Sequence, residues 1–152
     1  MSVTASAMDV RLAGPADAAR LATIHAACFA KSWDASAIGQ FLGIPSCLAL
    51  IASTAHVARA QGFLIARRAG DEAELVTLAI HPACRRLGLA RALLAAATTT
   101  LRAAGVGQLF LEVDEANTPA RGLYQALGAV VVGRRPRYYE HGANADIFSL
   151  AL

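Results

Sequence analysis

The sequence predicts an α/β fold: one domain, residues 1–152, built on a mixed central sheet of about seven strands with helices on both faces. Strand-like and helix-like patterns follow one another in the order β α α β β β α β α β β. The helical patterns between the fourth, fifth and sixth strands indicate βαβ crossovers and therefore parallel strands. The short connection around Gly70 indicates an antiparallel hairpin instead. A chain of 152 residues, 56% of them hydrophobic, suits a single core.

The N-terminal part of the chain predicts one strand, at 10–13, and two helices. The first helix begins at Gly14-Pro15, because proline is favoured at the first helical position. The second follows Asp34, which suits an N-cap, and ends at Gly43-Ile44-Pro45. Helical spacing predicts the buried residues of the two helices, which are Leu21, Ile24, His25 and Cys28 in the first and Ile38, Phe41 and Leu42 in the second.

Three strand-like runs come next, at 47–52, 60–67 and 74–80, and the turn 69–72 joins the last two. Residues 89–104 predict a long helix that Gly105 ends. The apolar stripe of this helix consists of Leu89, Leu93, Leu94, Ala97 and Leu101.

The C-terminal third predicts a strand at 109–113, a helix capped by Asn117 or Thr118, and two further strands. Gly128 ends that helix. The sixth strand begins at Val130 and extends at most to Tyr138, and the last strand covers 145–152.

Composition excludes several function classes. A net charge of +3 is too small to indicate nucleic-acid binding. No apolar run approaches the roughly 20 residues that span a bilayer, and the first residues lack a secretory pattern. Cys28, Cys47 and Cys84 show no metal-ligand spacing and suit reduced thiols. We therefore predict a cytoplasmic protein with no DNA partner, no membrane contact and no metal.

The segment from Arg85 to Ala90 predicts an anion site. It follows a strand and opens a helix, where backbone N–H groups and the helix dipole favour negative charge. Gly88 lets the backbone approach a ligand closely. Because the chain contains neither a G-x-x-x-x-G-K-[ST] nor a G-x-G-x-x-G motif, we predict a pyrophosphate held by an R-x-x-G-x-A loop.

Two side chains are candidates for proton transfer. Glu112 is the one carboxylate inside the apolar run 109–113, on the same strand face as Phe110 and Asp114. Such a carboxylate suits a general base, or it is an exposed residue near a strand end. Tyr124, on the following helix, is either a core or rim residue or a proton donor to a departing thiolate.

Together these motifs resemble the GNAT acetyltransferase superfamily, and within it the bacterial ribosomal-protein alanine N-acetyltransferases. Two residues depart from the usual pattern: Ala90 stands where glycine is usual, and Ala129 replaces an aromatic residue. The likeness covers most of the chain and rests on His25-x-x-Cys28-Phe29 before Trp33, Thr77–Pro82, Arg85–Ala90, Leu111-Glu112-Val113, Asn117-x-x-Ala120-x-x-Leu123-Tyr124-x-x-Leu127-Gly128 and Arg137-Tyr138-Tyr139.

The resemblance implies an acetyl-CoA-dependent enzyme that transfers the acetyl group directly, with Glu112 as base and Tyr124 as acid. It also implies that the fourth and fifth strands splay apart, so that the pantetheine arm pairs along the fourth. The cofactor-binding residues would be Leu78, Ala79, Ile80, Arg85, Arg86, Leu87, Gly88, Leu89, Ala90, Arg91 and Asn117. The residues bordering the acceptor would be Trp33, Tyr138 and Tyr139.

Three functions remain open from the sequence. The first is acetylation of a protein N-terminus, in particular that of a small-subunit ribosomal protein that begins with alanine. The second is acetylation of a small amine or amino acid, and the third is non-catalytic binding of acyl-CoA. The few acidic residues near the predicted mouth, Asp114, Glu115 and Glu140, favour a peptide over a small amine. Arg134, Arg135 and Arg137 form either a solvated strand end or a patch facing the ribosome.

Overall fold

The computed structural model describes residues 8–136, 138 and 142–152. Seven strands form one mixed sheet in the order β1-β2-β3-β4-β5-β7-β6. The strands are β1 Met8–Leu12, β2 Cys47–Thr54, β3 Gly62–Ala69, β4 Glu72–Ile80, β5 Gln108–Asp114, β6 Val130–Arg135 and β7 Ala145–Ala151. The helices are α1 Ala18–Cys28, α2 Ala35–Leu42, α3 Leu89–Ala103 and α4 Thr118–Ala126, with short 3-10 turns at Pro15–Asp17 and Pro82–Cys84.

The predicted order of strands and α-helices is confirmed, and the two 3-10 turns are additions to it. Pro15–Asp17 takes the place of the first turn of the predicted helix, because Asp17 accepts a 2.8 Å hydrogen bond from the Gly14 amide. The predicted cap of α2 is also confirmed: the Asp34 side chain accepts from the Ala37 amide at 2.8 Å. Contacts divide the chain into two compact units. The first unit consists of the chain up to Arg67 and of Val76–Ala97, and the second consists of Arg68–Leu75 and Thr98–Leu152.

In the first unit, α1 and α2 contribute to a core with strands β2 and β3. The predicted faces of both helices are confirmed, since Leu21, Ile24 and Ile38 are fully buried and His25 nearly so. Each large aliphatic side chain buried in this way contributes about 1.5–3 kcal/mol. The strands supply the facing side chains Ala49, Ile51, Phe63 and Ile65.

In the second unit, β7 lies between β5 and β6 and pairs antiparallel with both. The alternation predicted for β5 is confirmed: Leu109, Leu111 and Val113 are buried, while Glu112 is only half-buried. The β5–β7 register joins Leu111 to Phe148 and Glu112 to Ile147, so each pair shares one face of the sheet.

The parallel pair β4–β5 is joined at three positions only, Glu72–Glu74 with Gln108–Phe110. Beyond those positions the two strands are splayed, which confirms the expectation drawn from the resemblance.

Candidate functional site

The loop between β4 and α3 has the backbone geometry of an anion site. Arg86 and Gly88 both adopt left-handed conformations, with φ of 65° and 88°. Turns that include left-handed residues form anion-binding concavities, and the 15-residue helix α3 begins at the next residue, Leu89. Residues 85–88 are exposed, whereas Leu89 is buried and anchors the start of the helix. The loop therefore fits a pyrophosphate approached from solvent.

Two residues of this loop, Arg86 and Gly88, have a left-handed backbone, and the conformation is sterically costly only for Arg86. Glycine suits position 88 because a left-handed φ is unfavourable for other residues. Arg86 carries that cost with a side chain present, which is uncommon and concentrated at functional sites. His81 shapes the start of the segment, because its Nδ1 accepts from the Ala83 amide at 3.2 Å.

Arg85 is directed toward the end of β4. Its Nε donates to the Ile80 carbonyl at 3.4 Å and its Nη2 lies 3.7 Å from the Cys28 Sγ. Cys28 donates its thiol proton to the same carbonyl at 3.2 Å. Two donors thus hold the last carbonyl of β4, while Arg86 and Arg91 are exposed. Contact of Arg85 with a cofactor stays a prediction.

The predicted pantetheine segment Leu78-Ala79-Ile80 closes β4. Ala79 is buried, and Leu78 and Ile80 are half-buried. Gly62 allows β3 to approach closely here, because a Cβ at that position would meet the Ile80 side chain and lie 3.1 Å from the Ala79 carbonyl. The His81 amide donates to the Gln61 carbonyl at 2.8 Å, which holds the end of β4 against the start of β3.

In the second unit, Glu112 is held by two residues from the β6 end. Its Oε1 lies 3.1 Å from Nη2 of Arg135, and it accepts a hydrogen bond from the Tyr138 hydroxyl. The negative charge of Glu112 raises the pKa of Tyr138, and partial burial and the hydrogen bond add to that effect. The Arg135 guanidinium lies 5.4 Å from the Tyr138 ring centroid. The structure therefore brings together two predicted site residues, Glu112 and Tyr138.

Arg135 was not among the predicted site residues. It reaches Glu112 because β7 lies between β5 and β6: Arg135 pairs with Ala145, and Ala145 pairs with Asp114, two residues from Glu112 on the same face. The residues of β6 do not alternate in burial, so no local pattern marks Arg135, and its contact with Glu112 depends on the pairing of the strands. Arg134 and Arg135 are more than half exposed, and each also forms an ion pair with a glutamate. The partner of Arg134 is Glu115, at 3.1 Å.

Tyr124 is buried, with 5% of its surface exposed, and its ring meets the edge of Phe148 at 5.8 Å between centroids. Phe148 shares a sheet face with Leu111, whereas Glu112 points to the opposite face. The candidate acid and base therefore do not pack against each other.

Asn117 caps α4: its Oδ1 accepts from the Ala120 amide at 3.2 Å. Asp114 supports the turn before the helix by accepting from the Ala116 amide at 2.9 Å. The alternative that the sequence left open between Asn117 and Thr118 is thus settled for Asn117. Its contact with a cofactor stays a prediction.

Trp33 packs within the first unit. Its ring stacks on His25 and on Phe41, at centroid distances of 4.5 and 5.1 Å, and its amide donates to the His25 Nδ1 at 3.1 Å. Burial lowers the pKa of His25. His25 is therefore the packing residue that the sequence predicted. Contact of Trp33 with an acceptor stays a prediction, and Tyr139, like Arg137, lies outside the described residues.

Within residues 8–136, 138 and 142–152, no group of three or more His, Cys, Asp or Glu side chains is arranged to hold a metal ion. None of the helices described is both long and apolar enough to cross a membrane. The three cysteines are free thiols.

Comparisons with known proteins find acetyltransferases among the proteins similar to this chain. The ribosomal protein bS18 alanine N-acetyltransferase of Haemophilus ducreyi is 40% identical over 77 residues, which are 51% of this chain and 53% of that protein. The chain thus spans about half the length of this curated relative. Among solved structures, the ribosomal-protein-S18-alanine N-acetyltransferase from Escherichia coli has a TM-score of 0.87 and 28% identity, covering 95% of this chain and 94% of that one.

A further solved structure, Arabidopsis thaliana NAA60 in complex with acetyl-CoA, shares the fold, with a TM-score of 0.84 and 19% identity over 96% of this chain and 100% of that one. The family model for the acetyltransferase (GNAT) family matches residues 18–129. Because that match covers most of the chain, the protein belongs to the GNAT acetyltransferase family.

Proposed function

We propose that this chain is a single acetyltransferase domain that uses acetyl-CoA to acetylate the N-terminal alanine of a ribosomal protein or of a similar protein N-terminus. The observation that carries the proposal is the exposed loop before α3 with its two left-handed residues, in a chain of this family. The similarity to alanine N-acetyltransferases of ribosomal proteins supports the acceptor. A ribosomal acceptor would place the enzyme in the cytoplasm.

For cofactor binding, we assign the pyrophosphate to the backbone amides of residues 86–91, where the α3 dipole adds a favourable field. The backbone of residues 78–80 is proposed to pair with the pantetheine amides as an added strand would. When bound, acetyl-CoA supplies an activated acetyl thioester. A backbone N–H near Ile80 is proposed to polarise its carbonyl, as in an oxyanion hole.

Glu112 is proposed as the general base. An α-amino group has a pKa of about 8, so much of it is protonated at neutral pH and must lose a proton before it can attack. Arg135 and Tyr138 hold the Glu112 carboxylate in place, so that it can accept that proton directly or through water. Tyr124, buried on the other sheet face, is proposed to donate a proton to the departing thiolate.

The acceptor is proposed to lie against Tyr138, which is half exposed. A role for Trp33 and Tyr139 at the acceptor rests on the resemblance alone. Glu115 is already paired with Arg134 of β6, so its negative charge is shared within the protein. This supports a peptide acceptor over a small amine that would need an acidic pocket.

The acceptor can be tested with a panel of short peptides that begin with alanine, glycine, serine or methionine, alongside small amines and amino acids. We expect mass spectrometry to show one added acetyl group at the N-terminus of the alanine peptides. The same peptide already acetylated at its N-terminus is the matched control. Preferred acetylation of a small amine would overturn the peptide assignment, and no acetylation of any acceptor would overturn the enzymatic one.

A further inference from the structure

The second unit contains an ion pair between α4 and β7 that the proposed mechanism does not use. Arg121 Nη1 donates to Asp146 Oδ2, and Asp146 is buried, with 6% of its surface exposed. A second arginine, Arg134, places its Nε 3.5 Å from the other carboxylate oxygen. The carboxylate is thus engaged from both sides, and the pair is much less accessible than the other ion pairs of this unit.

Helix α4 depends on such anchoring because it is intrinsically weak. It has nine residues, fewer than the roughly 12–15 at which isolated helices become marginally stable. Gly122 lies in its interior and lowers its helix propensity further. Its orientation must therefore come from tertiary contacts.

Arg121 and Tyr124 share one side of this helix, because residues three apart lie on neighbouring turns. Both meet the same ring on β7: the Arg121 guanidinium lies 5.4 Å from the Phe148 centroid, and Tyr124 approaches the edge of that ring. Asp146 lies two residues before Phe148 and so on the same face of β7. The ion pair and the tyrosine contact therefore fix the same turn of α4 on the same stretch of β7.

We propose that Arg121 and Asp146 are positioning residues that set the orientation of the Tyr124 hydroxyl. The proposal rests on the role assigned to Tyr124 in the proposed function. The ion pair holds the backbone of α4 one turn before the tyrosine, on the stretch of β7 that also carries Phe148.

The test compares four proteins in acetylation assays: wild type, Tyr124→Phe, the double variant Arg121→Met/Asp146→Leu, and the triple variant. Replacing a buried ion pair by apolar residues of similar volume is often neutral for stability, so the double variant is expected to fold. We expect it to lower kcat by about 10- to 100-fold, the size of effect that a misplacement of about 1 Å can have. The KM for acetyl-CoA should not change.

The decisive measurement is the kcat of the triple variant, which combines Tyr124→Phe with the two substitutions of the ion pair. In the Tyr124→Phe background, loss of the ion pair should lower kcat no further. Arg121→Lys keeps the charge but not the planar fork, so we expect an intermediate loss that also disappears in that background. Arg11→Met removes the ion pair with Asp17 in the first unit and should leave kcat unchanged.

Two outcomes would overturn the proposal and are distinguishable. If Tyr124→Phe lowers kcat but the double variant has wild-type kcat, or lowers it equally with and without Tyr124, the ion pair does not position the tyrosine. If Tyr124→Phe itself has wild-type kcat, the catalytic role of Tyr124 fails, and this proposal fails with it. Should the double variant not fold, Arg121→Lys in the two backgrounds gives the same readings.

Discussion

Replacing Glu112 with glutamine keeps the shape of the side chain and one carbonyl oxygen but removes the capacity to accept a proton at neutral pH. If Glu112 is the general base, kcat/KM should fall by about 100- to 10,000-fold at pH 7, the usual contribution of a general base. At 1.36 kcal/mol per tenfold change, that loss corresponds to roughly 2.7–5.4 kcal/mol of transition-state stabilisation.

The structure predicts a much smaller effect on stability. The Glu112–Arg135 pair is partly exposed, with 29% and 55% of the two side chains accessible, and an exposed pair contributes only about 0–1 kcal/mol. The free energy of unfolding, measured with urea, should therefore change by no more than about 1 kcal/mol. The variant should still show the increase in melting temperature that CoA produces in the wild type.

Two pH measurements complete this test. The loss of activity should shrink as the pH rises, because more of the acceptor amine is already neutral. The pKa of Tyr138, followed by ultraviolet difference spectroscopy, should fall toward its ordinary value of about 10, because the charge that raises it is gone. A variant with a lowered tyrosine pKa but a rate within about twofold of wild type, far below the usual effect of removing a base, would refute the role of Glu112 as base.

Three further predictions follow from the described contacts. Gly88→Val should abolish the CoA-dependent rise in melting temperature and cost about 1–2 kcal/mol, because φ is 88° at that position; Gly39→Ala in α2, where a Cβ meets nothing within 4 Å, should have neither effect. Tyr138→Phe removes the hydrogen bond that helps to orient Glu112, so kcat for the peptide should fall by up to about tenfold, given that a hydrogen bond to a charged group is worth roughly 1.5–3 kcal/mol and this one is half exposed, with the KM for acetyl-CoA unaltered as the check. Burial lowers the folded-state pKa of His25, so the unfolded chain binds that proton more tightly, and the stability due to neutral His25 should be present above about pH 6.5 and lost as the pH falls below it. Between pH 7.5 and 5, the melting temperature should decline less in His25→Gln than in wild type. An equal decline would exclude His25 as its source. His56→Gln, at an exposed position, is the matched control.

Local patterns in the sequence determined the elements of this protein and where most of them begin and end. The Asp34 cap, the stripe of leucines on α3 and the alternation of β5 each depend on residues within a few positions of one another. Such signals survive in any tertiary arrangement, because helix and strand periodicities are set by the backbone. The predicted anion loop belongs to the same class, because a glycine and backbone amides at the start of a helix suffice to predict it.

Tertiary structure decided which side chains meet. Because β7 lies between β5 and β6, Arg135 forms an ion pair with Glu112, and Asp146 of β7 forms one with Arg121. The members of each pair are far apart in the chain. The same pairing puts Glu112 and Tyr124 on opposite faces of the sheet. None of this follows from local periodicity, because the side-chain period of a strand is two residues. A shift of one position in pairing would exchange the two faces, and that register is set by the packing of the whole sheet.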